Sequence, residues 1–269
     1  MTEALTTHEV PQAIHSRDNA LLVRLRRLAQ DSTAYRKLGQ VWLEGEHLCT
    51  ALVNGGGHAQ FAVVSDAAWV NPSMRRLART AVKVVTVPPS LFAGFSALES
   101  PAAIGFVLDL PAAPPLDASA NTVVLDRVQD AGNVGSILRS AAAFGATQVI
   151  ALKGTAALWS PKVLRAGMGA HFGLRLIDAA ELSLLEALSV PLLATSSHHG
   201  VLLPNAALPS PCGWVFSHEG QGVHDELRAR CALALRIPQP GGEESLNVAA
   251  AAAVCLYESA RQRSAPPAQ

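Results

Sequence analysis

The sequence predicts an α/β protein in two parts. Short runs rich in Val, Leu and Ile alternate with segments whose apolar residues recur at helical spacing, the pattern of strands and helices packed in layers. The composition suits buried layers: of 269 residues, 49% are hydrophobic and 16% charged, enough chain for two ordinary domains. Near Leu110 the alternation stops for LPAAPPLDASAN (110–121), a Pro- and Ala-rich stretch that reads as an extended linker.

Before the linker, Leu21, Leu22, Leu25 and Leu28 form a core-facing stripe on a helix predicted over 17–30. Strand VWLEG, helix 46–53, strand FAVVS, helix 72–80 and strands VKVVTV and IGFVLD follow, giving a small α/β domain. Gly55–Gly57 read as a turn, because no Gly-Lys-Ser/Thr follows as a phosphate loop requires. After the linker come strand TVVLD, helix 134–144, strand TQVIAL, helix 161–168, strand LRLI and helix 180–188. Strands PLLAT and WVFS, helix 223–230, strand LALRI and a long helix over 245–262 complete the chain. Strands separated by helices demand crossovers, so this second sheet is predicted to be parallel and covered on both faces. The expected boundaries are a flexible N-terminus over 1–14, a domain over 15–109, the linker, a domain over 122–262 and a flexible tail over 263–269.

Several functional classes are disfavoured. The longest apolar run, Val248 to Tyr257, is mostly Ala and falls short of the roughly 18 residues of a membrane span. The opening MTEALTTHEVPQ lacks a basic region followed by an apolar stretch, so the expectation is a cytoplasmic protein with no membrane partner. Cys49, Cys212, Cys231 and Cys255 are scattered without a Cys-x-x-Cys pair and read as reduced thiols. His198 and His199 would face opposite sides of a strand, with no third ligand at helical spacing, so no metal is expected. Net charge is +0, yet Arg17, Arg24, Arg26, Arg27, Arg36 and Lys37 cluster against only Asp18 and Asp31. That cluster reads equally as a nucleic-acid footprint or a solvated helix face.

Three polar clusters stand out in the apolar second half: NVGSILR (133–139), SHEGQG (217–222) and GGEESLN (241–247). Singly, each has a structural explanation. Asn133 can cap a helix with Gly135 easing the turn, Arg139 can be a surface residue, Glu219 a solvated loop carboxylate, and Ser245 a cap for the Ala-rich last helix. Together, each follows a predicted strand of a parallel sheet, where ligands sit beyond the carboxyl ends. No G-x-G-x-x-G follows any strand, which disfavours a dinucleotide.

The order N-x-G-x-x-x-R, then E-G-x-G after a strand, then S-L-N opening a final helix after Ile-Pro, resembles the SpoU (TrmH) class of RNA 2'-O-ribose methyltransferases. SPKVLRAGMGAHFGLRL (160–176) fits the same pattern, and RDNALLVRLRRLAQDSTAYRKLGQVWLEGEHLCTALVNGG looks like the N-terminal substrate-binding domain of members that act on ribosomal RNA. The resemblance implies a SPOUT catalytic domain over 122–262 with a deep trefoil knot, an exception to un-knotted chain paths. Ahead of it, over 15–109, it implies a ribosomal-protein-like RNA-binding domain. It further implies a homodimer, S-adenosylmethionine as cofactor, and ribosomal RNA as partner, 23S RNA above all.

By the same carry-over, Thr195, Ser217, Gly220, Ile237 and Leu246 hold the cofactor, while Asn133, Arg139, Glu219, Ser245 and Asn247 form the catalytic set. Arg17, Arg24, Arg26, Arg27, Arg36, Lys37 and Arg165 meet RNA. Arg139 is the family's candidate for removing the ribose proton; clamping the adjacent phosphate is the alternative, since a guanidinium is a donor only. Two departures mark this chain: Ser217 and His218 stand where relatives carry Gly and a small or amide residue, and Gly167 replaces a common Ser. A transfer-RNA enzyme of the same class, or an RNA-binding protein that no longer methylates, are the other readings.

Overall fold

The computed structural model describes residues 10–196, 199–218, 222–241 and 246–264. The chain forms two compact units, Met1–Pro111 with Trp159–Arg165, and Ala112–Leu158 with Ala166–Gln269.

The first unit runs β1 (Gln12–Ala13), α1 (Ala20–Gln30), α2 (Ala34–Leu38), β2 (Gln40–Glu44), α3 (Glu46–Asn54), β3 (Phe61–Ser65), α4 (Asp66–Trp69), α5 (Pro72–Ala78), β4 (Lys83–Val87), α6 (Pro89–Ala93) and β5 (Ile104–Asp109). Its sheet has the order β1-β4-β3-β5-β2. β3 and β4 are parallel, whereas β5 is antiparallel to both β3 and β2, so the sheet is mixed.

Two expectations change here. The first helix starts at Ala20 rather than 17, because Asn19 Oδ1 accepts the Leu21 N–H at 2.9 Å and caps it, leaving Arg17 and Asp18 outside. Residues 12–14, placed in a flexible leader, instead join the sheet. Gln12 and Ala13 pair with Val85 and Thr86, and the Ile14 N–H donates to the Thr86 carbonyl at 2.9 Å. Such a short strand carries no readable alternation.

The second unit runs β6 (Thr122–Asp126), α7 (Ala131–Ala143), β7 (Gln148–Leu152), α8 (Pro161–Gly167), β8 (Arg175–Ala180), β9 (Leu192–Thr195), β10 (Val201–Leu202), β11 (Gly213–Ser217), α9 (Asp225–Ala229), β12 (Cys231–Arg236) and α10 (Val248–Ser264). The α8 residues through Arg165 group with the first unit. Every strand pairing is parallel, in the order β10-β12-β9-β11-β6-β7-β8. Val123, Val124, Leu125, Val149, Ile150, Val215 and Phe216 are wholly buried, which is why the central strands read as unbroken apolar runs rather than alternating ones. α10 docks on β11 through Trp214, whose Nε1 donates to Ser259 Oγ at 2.8 Å.

The helix expected over 180–188 does not form. β8 extends to Ala180, with Ala179 at φ 56°, and only a 3₁₀ turn over Leu182–Ala187 follows. Leu185 packs into the core from that turn, so the apolar spacing is real but serves a tighter coil.

Gly167, the departure in the segment after the first cluster, has a local cause. A Cβ there would lie 2.5 Å from Cε1 of His171, and one at Gly135 would lie 2.4 Å from the Ala166 Cβ. Close approach of α7 and the end of α8 therefore needs glycine at both places, and the His171 ring occupies the volume a serine would take. His171 Nε2 donates to the Leu158 carbonyl at 2.9 Å, and burial pushes its pKa down to about 4 despite that bond.

The ring is neutral in the fold and takes up a proton on unfolding below its ordinary value of about 6.5. Its contribution to stability is thus intact above pH 6.5 and declines as pH falls toward 4, by about 3 kcal/mol at most. In urea denaturation, the stability advantage of the wild type over His171→Gln is expected to shrink across that window; a pH-independent difference would contradict the assignment.

Candidate active site

The site is built where the order of the second sheet reverses. From β6 the chain proceeds to β7 and β8 on one side, then crosses to β9, β11 and β12 on the other. In open parallel sheets, ligands bind outside the carboxyl ends of the strands at such a reversal, here β6 and β11. Register places Ser217 opposite Asp126, and Thr195 opposite Leu235, so the ends of β12, β9, β11 and β6 form one edge. Thr195, Ser217 and Ile237, the last directly after β12, are half-buried there.

Two further residues bear on the site, one at the end of β12 and one just before α10. Arg236, which ends β12, has a buried Nε without a hydrogen-bond partner among the described residues. Leu246, just before α10, is 38% exposed. Strand-end backbone groups, an unsatisfied donor and accessible apolar side chains fit a ligand that combines a flat apolar ring with polar acceptors, as S-adenosylmethionine does.

The helix ends are joined by polar side chains. Asp130, not Asn133, caps α7: its Oδ1 accepts the Asn133 N–H at 2.7 Å. Asn133 therefore lies in the first turn, where its Oδ1 accepts from Asn247 Nδ2 at 3.0 Å. Asn247 Oδ1 in turn accepts the N–H groups of Ala249 at 2.9 Å and Ala250 at 3.3 Å, so Asn247 caps α10 at the place Ser245 was read to fill. Two catalytic candidates more than a hundred residues apart in sequence thus touch, while Glu219, Gly220 and Ser245 lie outside the described residues.

Arg139 is exposed on α7 and makes no hydrogen bond or ion pair with any described residue. Six residues separate it from Asn133, about 9 Å along the helix and on another face. Asn133 therefore orients Asn247 and the α10 terminus rather than Arg139. The exposed guanidinium is available to an anion.

Two residues at the carboxyl end of β6 were overlooked because LD reads simply as the end of a strand. Asp126 is buried, at 3% exposure, and pairs with Arg127 in fork geometry, Nε to Oδ1 at 3.0 Å and an Nη to Oδ2 at 3.2 Å. That hydrogen bond raises the Arg127 pKa. Arg127 holds φ 57°, a left-handed conformation that costs about 1 kcal/mol for a residue with a side chain. A charged residue at a strand end followed by another is the only sequence signal these two offer.

The predicted RNA-contacting side chains of the first unit are unequally free. Arg24 donates to Gln40 Oε1 at 2.9 Å, Arg26 to the Arg17 carbonyl, and Arg36 Nε to the Tyr35 hydroxyl at 3.1 Å, with its guanidinium 5.4 Å from the Tyr35 ring. Arg17, Arg27 and Lys37 are exposed, and Arg165 is half-buried on α8. A second basic and aromatic group went unread: the guanidiniums of Arg75 and Arg79 lie 5.3 and 5.9 Å from the ring of Trp69.

A hollow of about 560 Å³ at the turn between β8 and β9, beside Glu181 and Glu186, is lined by none of the predicted site residues. Its carboxylates would repel a polyanion. Among the described residues no cluster of three or more His, Cys, Asp or Glu side chains is arranged to hold a metal, and no helix is long and apolar enough to cross a membrane. Cys49, Cys212 and Cys255 are buried free thiols and Cys231 a half-buried one; burial pushes Cys255 up to about 12.

Residues 120–257 match the SpoU rRNA Methylase family. An uncharacterized tRNA/rRNA methyltransferase of Synechocystis sp. is 33% identical over 263 residues, 93% of this chain and 94% of its own. The 23S rRNA (guanosine(2553)-2'-O)-methyltransferase RlmP of Bacillus subtilis is 28% identical over 218 residues, 80% of this chain and 86% of its own. Among solved structures, the SpoU methyltransferase AviRb of Streptomyces viridochromogenes, in complex with the cofactor AdoMet, superposes with a TM-score of 0.80 at 26% identity, covering 91% of this chain and 99% of that one.

The contact between Asn133 and Asn247 is measurable by a double-mutant cycle. Asn247→Ala is expected to cost about 1 kcal/mol from the lost cap and more from the lost contact, and its coupling to Asn133→Ala to reach about 1 kcal/mol. Strictly additive denaturation energies would show that the two side chains do not interact.

Proposed function

The chain belongs to the SpoU rRNA methylase family, and from that footing we propose that it transfers the methyl group of S-adenosylmethionine to a ribose 2'-oxygen in 23S ribosomal RNA. The observation that carries the proposal is the exposed, uncommitted Arg139 on the same helix whose first turn is tied, through Asn133 and Asn247, to the start of α10. The relatives support the substrate class, one named a 23S rRNA (guanosine(2553)-2'-O)-methyltransferase and the other an uncharacterized tRNA/rRNA methyltransferase, and a first unit with exposed Arg17, Arg27 and Lys37 supports a folded RNA target.

When bound, the cofactor supplies an activated methyl group, so the chain's own residues need to place the hydroxyl and accommodate its proton. Thr195, Ser217 and Ile237, with Gly220 and Leu246, hold the cofactor at the carboxyl edge. Arg139 grips the RNA phosphate next to the reacting ribose through its paired donors; the proton of the 2'-hydroxyl passes to a phosphate oxygen or to water, since a guanidinium has no lone pair to take it. Asn133, Asn247, Glu219 and Ser245 complete the polar wall around the ribose, and the start of α10 offers backbone donors to an oxygen. The same reading carries the knotted chain path, a homodimer and a cytoplasmic location. Arg24, Arg26, Arg36 and Arg165 belong with the RNA-contacting surface.

Ribose methylation mapped across total RNA from cells with and without the gene identifies the target. Loss of one defined 23S mark, restored by the intact gene, is expected; a lost transfer-RNA mark would reassign the substrate, and unchanged maps would favour a binding protein. In vitro, Arg139→Ala is expected to lower methyl transfer by at least about a hundredfold while leaving cofactor affinity within about twofold. Turnover near wild type in that variant would refute the role given to Arg139.

A further inference from the structure

The middle cluster leaves the sheet at Ser217 and returns toward α9, and both of its stems are fastened to the same two residues of β6. On the outgoing side, the His218 N–H donates to the Asp126 carbonyl at 3.3 Å. On the returning side, the His224 N–H donates to Asp126 Oδ2 at 2.9 Å, and an Nη of Arg127 donates to the Gly222 carbonyl at 3.3 Å. The stems are also joined to each other, Gly222 N–H to His218 carbonyl at 3.0 Å.

The clamp is itself braced. Thr155 Oγ1 donates to the Leu125 carbonyl and the Ala156 N–H to the Val128 carbonyl, each at 2.9 Å, pinning the turn on both sides of Asp126 and Arg127. The Arg127 stem rests on Gly154, where a Cβ would come within 3.1 Å of its Cγ. Arg127 is held in a left-handed backbone that glycine or asparagine would adopt more readily. Strain kept at a residue with a long charged side chain is explained if the guanidinium's reach is what the position requires.

We propose that the Asp126–Arg127 pair is a positioning element for the cofactor site, setting where His218, Gly222 and His224 stand relative to the carboxyl edge that ends in Ser217. This rests on the cofactor site described above. The pair does not touch the reacting atoms; it acts through the backbone of His218, Gly222 and His224. A buried carboxylate gripped by a guanidinium in fork geometry holds backbone donors in a fixed direction.

The test uses the full chain, S-adenosylmethionine titrated by calorimetry, and amide hydrogen exchange without cofactor. Arg127→Gly removes the hook and leaves the buried Asp126 carboxylate unpaired, a loss larger than the relief of the backbone, so the melting temperature is expected to fall and cofactor binding is compared at a temperature where the variant is fully folded. Cofactor binding is expected to weaken by about ten- to a hundredfold, the range for a lost charge-assisted hydrogen bond. Exchange is expected to accelerate at His218, Gly222 and His224 but not at Ala249 or Ala250. Arg127→Lys is expected to recover part of the affinity, and Asp126→Asn, which keeps shape and an acceptor, to show the same loop exchange.

Wild-type affinity in Arg127→Gly, with the wild type itself binding, would overturn the proposal. So would unchanged exchange at the three loop amides, whether or not cofactor binds. Failure of the wild type to bind S-adenosylmethionine, alongside accelerated loop exchange in the variant, would instead refute the cofactor reading and leave the clamp standing as a loop anchor.

Discussion

Parallel pairing of β12, β9, β11 and β6 aligns four strand ends, and the positions of Thr195, Ser217 and Ile237, proposed to hold the cofactor, depend on that alignment. A shift of one residue in the β11 register would separate Ser217 from Asp126 and turn its side chain to the other face. The alignment is secured by burial: Leu125, Val124, Val215 and Phe216 are wholly removed from water, and Trp214 is bonded to Ser259 of α10. The apolar interior and the polar edge are therefore one design, the first fixing positions that the second uses.

From that edge the polar contacts extend in two directions. Asp130 and Asn247 cap α7 and α10, and Asn133 bonds to Asn247, so the two helix starts are tied together. Asp126 and Arg127 reach the other way and fasten the stems of the middle cluster. Arg139 alone among the catalytic candidates on described residues is left unengaged, as suits the phosphate-gripping role proposed for it.

Much of this was legible in the sequence. The buried strands β6, β7, β9 and β11 announce themselves as Val- and Leu-rich runs, and the crossovers between them make the sheet parallel. Asn133, Arg139 and Asn247 stand out as polar residues in apolar surroundings. What could not be read is long-range pairing: nothing local says that Asn133 meets Asn247, or that Asp130 rather than Asn133 ends the loop. The 3₁₀ turn over Leu182–Ala187 was hidden because its leucines fit helical spacing, and β8 took the residues a helix would need. Arg127 was hidden because a left-handed backbone has no signature in a residue other than glycine or asparagine. Gly167 was legible only as a departure, and His171 explains it once the two are seen in contact.

The location of the cofactor site is the central claim, and hydrogen exchange of the full chain with and without saturating S-adenosylmethionine tests it most directly. Protection is expected at the amides of Thr195, Ser196, Ser217, His218 and Ile237, the carboxyl edge. Protection confined to the 182–187 turn beside the hollow at Glu181 and Glu186, or to the first unit, would contradict it.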